Sequence, residues 1–177
     1  MKLNKEEQAP NFRVKDIFGT EIDLSKMDSH KILISFFRYA ECALCNLRIA
    51  ELKRASEVFQ KEDIEVITIF QSHEESLKES IHKRHELDFT VISDPNFKLY
   101  DMYGVTTSWG KLLRTASLKG IKSTFAASSQ GFKLGGRVEG KFNQIPADFL
   151  LDRNKRIKIA HYGSSLIDHM PLEEILN

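Results

Sequence analysis

The sequence predicts an α/β domain built around a central sheet, and three stretches carry that prediction. "KILISFF", Lys31 to Phe37, is an unbroken apolar run rich in β-branched and aromatic residues. It reads as a strand buried on both faces. From Ala43 to Phe59 the spacing turns helical, with Leu44, Leu47, Leu52, Ala55 and Phe59 on one side and Arg48, Lys53, Arg54 and Glu57 elsewhere. "IEVITIF", Ile64 to Phe70, is a second buried strand. Strand, helix and strand at this spacing form a βαβ unit, whose crossover is expected to be right-handed.

The other elements follow in chain order. Glu74 to His85 reads as a polar, exposed helix. "FTVISD" is a short strand ended by Asp94-Pro95, and "NFKLYDMYG" a short helix stopped by Gly104. "DFLLD", Asp148 to Asp152, and "IKIAHYG", Ile157 to Gly163, flank the turn Arg153-Asn154-Lys155 as an antiparallel hairpin. Pro171 opens a last helix, "PLEEIL". Residues 105–141 break the pattern. They hold six of the nine glycines and carry a net charge of +6, against −5 for the rest of the chain. This reads as an insertion, with one or two amphipathic helices around "WGKLLRTASLKGI" and then a glycine-rich loop.

With 177 residues, 41% hydrophobic and 29% charged, the chain suits one domain with a full core. A net charge of +1 gives no global reason to expect nucleic acid as a partner. "MKLNKEEQAPNF" has no apolar run resembling a signal peptide, and no segment approaches the roughly 20 apolar residues of a membrane helix. The expectation is a cytoplasmic protein with no membrane partner. Two cysteines are too few for a disulfide scaffold.

Both cysteines, Cys42 and Cys45, lie two residues apart between the first buried strand and its helix. The first turn of a helix has unpaired N–H groups and a positive dipole end, which favour a thiolate over a thiol. The thiolate is the reactive form. The spacing lets Cys45 face Cys42 one turn along, so a disulfide can close with little backbone movement. Two buried small residues, or half of a zinc site completed by His82 and His85, are the competing readings. Arg38 precedes Cys42 by four residues and is a candidate cation beside the thiolate. Glu41 would act in the opposite sense if turned inward. Tyr39 is a candidate hydrogen-bond donor to sulfur or to a peroxide oxygen, or a residue packed against the insertion. In "NQIPADFLLD", Pro146 is a candidate cis-proline, which would leave the Ile145 backbone free to pair with an extended substrate; a trans proline opening a strand is the local alternative.

"APNFRVKDIFGTEIDLSKM", "KILISFFRYAECALC", "SDPNFKLYDMYGV" and "IPADFLLDRNKRIKIAHYG" occur in an order that resembles thioredoxin-fold proteins of the alkyl hydroperoxide reductase/thiol-specific antioxidant superfamily. The likeness is greatest to the peroxiredoxin-like branch with two cysteines at this spacing. It covers nearly the whole chain except the insertion. The resemblance implies a thioredoxin-like fold, a mixed sheet with helices on both faces and an N-terminal hairpin, Phe12 to Leu24, at the sheet edge. It implies that Cys42 and Cys45 form the redox pair and that Pro146 is the cis-proline. The chain departs from the peroxiredoxin pattern of a proline, three residues, then a hydroxyl residue three before the attacking cysteine. Counted back from Cys42, these positions hold Ser35 and Tyr39; counted back from Cys45, they hold Arg38 and Cys42. The second register would make Cys45 the attacker. The later peroxiredoxin arginine has only the distant Arg137 as a substitute.

The resulting expectation is a thiol-disulfide oxidoreductase or thiol peroxidase without cofactor or metal. It would act on peroxides or protein disulfides, draw on a thioredoxin- or glutathione-like reductant, and leave a homodimer open. The reading from another class is a non-enzymatic redox-sensing adaptor whose basic insertion binds an anionic partner.

Overall fold

The computed structural model describes residues 1–115, 118–132 and 135–177. A five-stranded sheet runs through it in the order β5-β4-β3-β6-β7. Strand β3 (Lys31–Phe36) lies at its centre, parallel to β4 (Ile64–Phe70), which is parallel to β5 (Thr90–Ser93). On its other side β3 pairs antiparallel with β6 (Ala147–Asp152), and β6 with β7 (Ile157–Tyr162). The unbroken apolar runs of β3 and β4 are explained by burial on both faces.

Alternation divides β3 between two cores. Leu33 and Phe37 face the side covered by helix α1 (Ala43–Arg54), with Ile49, Leu52, Phe59, Leu77, Ile81 and Ile175. Ile32, Ile34 and Phe36 face the other side, against Leu99, Tyr100 and Tyr103 in and just after α5 (Lys98–Met102). Asp94 starts α5 by accepting the Lys98 and Leu99 N–H groups at 3.0 and 2.7 Å. Helices therefore cover both faces, as expected.

Two boundaries differ from the sequence reading. The long helix breaks at Ala55 into α1 and α2 (Ser56–Lys61). The polar helix is α3 (Glu74–Leu77), a π-helical segment (Lys78–His82) and α4 (Lys83–His85), and it is half-buried through Leu77 and Ile81. The N-terminal hairpin lies at the sheet edge as expected, as a separate two-stranded unit. Its strands β1 (Arg13–Lys15) and β2 (Glu21–Asp23) pair only with each other, and its turn reaches edge strand β5 through Ile17 N–H donating to Val91 C=O at 3.0 Å.

In the insertion, α6 (Trp109–Arg114) and α7 (Leu118–Ser129) are present, and α7 extends eight residues past the quoted motif. The expected helix link at residues 116–117 and loop residues 133–134 lie outside the described residues. α8 (Leu172–Leu176) closes the chain.

Candidate active site

The carboxyl ends of β3 and β4 converge, with Gln71 N–H donating to Arg38 C=O at 2.9 Å. Beyond β3 the chain turns through Tyr39 to Glu41 and enters α1. Cys42 is the N-cap of α1, in extended conformation, and its sulfur accepts the Cys45 N–H at 3.2 Å. Asn46 fastens this turn from inside the helix: its side-chain amide donates to the Ala40 and Cys42 carbonyls at 2.8 and 3.0 Å. Its carbonyl oxygen lies 2.9 Å from His85 Nε2. His82 instead stacks edge-on against Phe18 at 4.7 Å, so the two histidines serve different contacts.

Both thiols are free and enclosed, Cys42 2% and Cys45 4% exposed. Arg38 Nη2 donates to Cys42 Sγ at 2.8 Å, and Nη1 donates to Phe142 C=O at 3.2 Å. The guanidinium lies over the Tyr39 and Phe142 rings, 5.2 and 5.5 Å from their centroids. Burial pushes the Cys42 thiol up, but the Cys45 thiol and N–H and the Arg38 charge outweigh it and lower it to about 6. Burial and the adjoining Cys42 sulfur push Cys45 well above the ordinary thiol range. The two cysteines are thus separated into a thiolate and a thiol that donates to it. Of the two registers, this favours Cys42 as the attacking sulfur.

The insertion closes over this site. Glu41 turns outward and accepts the Arg137 N–H at 2.8 Å. A side chain at Gly136 would strike Glu41, so only glycine lets the loop approach the motif this closely. Gln71 Oε1 accepts the Lys141 N–H at 2.6 Å, and Gly140 at φ +84° lies against the same side chain. Phe132 and Ala127 cover Ala43. Arg137 itself points away from the sulfurs, its Nε 3.9 Å from Glu139.

Three buried side-chain donors lack a partner among the described residues: Arg38 Nε, Gln71 Nε2 and, away from the sulfurs' contacts, Arg48 Nε. The Arg38 and Gln71 side chains both bond to the same strap, residues 141–142. Gln71 was not anticipated; its one signal is a polar residue directly after a buried strand.

The remaining candidates are placed differently from the expectation. No cis peptide bond occurs among the described residues, so the Ile145–Pro146 bond is trans, contrary to the resemblance. Pro146 opens β6, where its missing N–H costs no ladder bond, and its carbonyl accepts the Gly163 N–H at 3.0 Å. Ile145 is buried and its carbonyl accepts the Gln144 amide at 3.2 Å, so that oxygen is not free for a substrate. Tyr39 is buried in the core beside α1. Among the described residues no hydrogen bond joins its hydroxyl to either sulfur. Burial pushes that hydroxyl up to about 12, so it stays protonated.

A second buried cluster lies on the same side of the sheet. Asp148, opposite Ser35 in the β3–β6 register, accepts Ser35 Oγ at 2.6 Å, Met170 N–H at 2.7 Å and His169 Nδ1 at 3.0 Å. Arg48 Nη2 donates to Met170 C=O at 2.6 Å. Burial raises the Asp148 carboxyl, but His169, Arg48 and Ser35 together hold it well below the usual carboxylate range. A cavity of about 550 Å³ lies at the opposite end of the strands, beside Asp63, Ile64 and Thr90, and has no part in the thiol site.

The chain is similar to known proteins. The chain is 32% identical over 104 residues to the chloroplastic peroxiredoxin Q of Oryza sativa subsp. japonica, covering 59% of this chain and 48% of that one. It is 22% identical over 99 residues to the thiol-disulfide oxidoreductase ResA of Halalkalibacterium halodurans, covering 56% of each. The chain thus spans about half the length of these relatives. The crystal structure of peroxidoxin BcpB from Mycobacterium tuberculosis superposes with a TM-score of 0.66 at 13% identity, over 92% of this chain and 88% of that one. The thioredoxin-like fold is therefore shared with these proteins. The AhpC/TSA family profile matches residues 6–160, nearly the whole chain, and the protein belongs to the AhpC/TSA family.

Proposed function

We propose that the protein is a thiol peroxidase that cycles through a Cys42–Cys45 disulfide. The observation that carries this reading is the 2.8 Å contact of Arg38 Nη2 with Cys42 Sγ, which supports a thiolate on one cysteine only. In the first step the Cys42 thiolate attacks one peroxide oxygen. The O–O bond breaks, an S–O bond forms, and the departing oxygen takes a proton to leave as alcohol or water. Sulfur is oxidised to a sulfenic acid and the peroxide is reduced. Cys45 then attacks the Cys42 sulfur, its proton and the sulfenic hydroxyl leaving as water. A thioredoxin-like dithiol, or two equivalents of a glutathione-like thiol, reduces the disulfide by exchange and leaves as its own disulfide. A reducing compartment such as the cytoplasm suits this cycle.

Arg38 Nε and Gln71 Nε2 favour peroxide over a protein disulfide as the substrate. Arg38 Nε, in the guanidinium that contacts the attacking sulfur, and Gln71 Nε2, on a side chain bonded to the same strap, suit a small acceptor, and both peroxide oxygens are acceptors. The enclosure of both cysteines also suits a small substrate better than a protein. Disulfide reduction through the same pair is the second reading, supported by the likeness to ResA. Rates of the reduced protein with hydrogen peroxide, an alkyl hydroperoxide and insulin separate the two. Peroxide consumption well above insulin reduction is expected. Insulin reduction without peroxide turnover would assign the protein to the second reading.

A further inference from the structure

We propose that the outer face of α6 and α7 docks the protein onto an anionic lipid surface. This inference stands apart from the peroxidase reading. Trp109 and Leu113 are one helical turn apart on α6, as are Ile121 and Phe125 on α7, and all four point outward, 67, 74, 60 and 76% exposed. The inward side is made of small residues: Ala127 is fully buried against Ala43, and Ser123 and Thr124 are half-buried. A surface helix ordinarily does the reverse, burying its large apolar side chains. Here the large side chains face solvent on two successive helices, so the outer face is built for contact.

Charge selects the partner. The insertion carries +6, and its single acid, Glu139, is engaged by Ser76 at 2.8 Å and Arg137 at 3.9 Å. Arg114 and Lys122 are exposed beside the apolar residues. Lys2 and Arg114 gather around Lys111, whose amine is pushed down by partial burial first and by these two cations next. An isologous contact between two copies would bring two such basic faces together, which disfavours a second copy. Trp, Phe and Leu interleaved with Lys and Arg suit the boundary between headgroups and acyl chains. No helix among the described residues is long and apolar enough to cross a membrane, so the protein would lie on the surface. This departs from the expectation of no membrane partner drawn from the sequence.

Trp109 is the chain's single tryptophan and reports directly on this face. The full-length protein is mixed with vesicles of phosphatidylcholine alone, or with phosphatidylglycerol added. The expected result is a blue shift of Trp109 emission and co-sedimentation with the anionic vesicles only, reversed by high salt. Leu113→Ser/Phe125→Ser, and separately Arg114→Glu/Lys122→Glu, are expected to weaken vesicle binding by about tenfold or more, with the circular dichroism spectrum unchanged. Absence of any shift or co-sedimentation would overturn the proposal, as would equal binding to both vesicles. A Trp109 shift that follows protein concentration without lipid would assign the face to a second copy and overturn it as well.

Discussion

Two buried ionisable groups, Cys42 and Asp148, lie on the α1 side of the same sheet and are served in opposite ways. Asp148 has its donors in place: Ser35, His169 and the Met170 N–H all reach it within 3.0 Å. Cys42 accepts from Arg38 and the Cys45 N–H, yet Nε of the same Arg38 and Nε2 of Gln71 remain without partners among the described residues. Arg38 Nε belongs to the guanidinium that holds the reactive sulfur, which fits a donor kept for a substrate, whereas Arg48 Nε, also without a partner, belongs to a guanidinium engaged by Met170 C=O and Glu51. The satisfied carboxylate marks a structural clasp that ties the C-terminal segment to the sheet. Chemistry and stability are therefore separable in this molecule, and substitutions in each cluster test that separation.

Cys42→Ser is expected to abolish peroxide turnover while leaving the unfolding midpoint near that of the reduced protein. Retained turnover would shift the attack to Cys45 and dissolve the contrast. Asp148→Asn is expected to do the reverse, costing about 3 kcal/mol of stability because the Ser35, His169 and Met170 groups lose a charged acceptor. Its per-molecule turnover should persist where it is folded. The pH dependence follows from the direction of the Asp148 shift. A carboxyl held low when folded contributes fully above its unfolded pKa of about 4, and the contribution fades as pH falls below that. The stability gap between the native protein and Asp148→Asn should therefore narrow in acid, measured by urea unfolding from pH 7 downward.

Arg38→Met is expected to raise the Cys42 pKa from about 6. A rise of one unit corresponds to about 1.4 kcal/mol and cuts the thiolate roughly tenfold at a pH below both values. Thiolate absorbance followed against pH measures it directly; an unmoved titration would remove Arg38 from the account. The smallest effect belongs to Gln71→Leu. Losing one hydrogen bond of about 1 kcal/mol is expected to raise KM for peroxide several-fold with the Cys42 titration unchanged. A shifted titration would make Gln71 part of the thiolate's support instead of the substrate's.

The thiol site was largely legible in the sequence. Unbroken apolar runs placed β3 and β4 nearly to the residue, and a cysteine pair after such a strand could only fall at the start of α1. Arg38 was within reach because it is four residues from Cys42, a local distance. The clasp was not legible, since Ser35 and Asp148 are 113 positions apart and meet only through the β3–β6 register. A lone carboxylate at an inward position of "DFLLD" was its one trace. Pro146 shows the limit of resemblance: the local reading of a trans proline opening a strand agrees with the structure, and the inherited cis bond does not. The sequence marks the insertion as amphipathic and basic, with an anionic partner as one reading, but not which side of its helices faces outward. Only the burial of Ala127 in place of Phe125 shows which side faces inward.

The central claim is that Cys42 attacks and Cys45 resolves. The reduced protein and its Cys45→Ser variant, each treated with one equivalent of hydrogen peroxide and weighed by mass spectrometry with peptide mapping, test it most directly. The account predicts loss of two hydrogens in the native protein through a Cys42–Cys45 disulfide, and gain of one oxygen on Cys42 in the variant. An unoxidised Cys42 in the variant, together with an oxygen on Cys45 in Cys42→Ser, would contradict it.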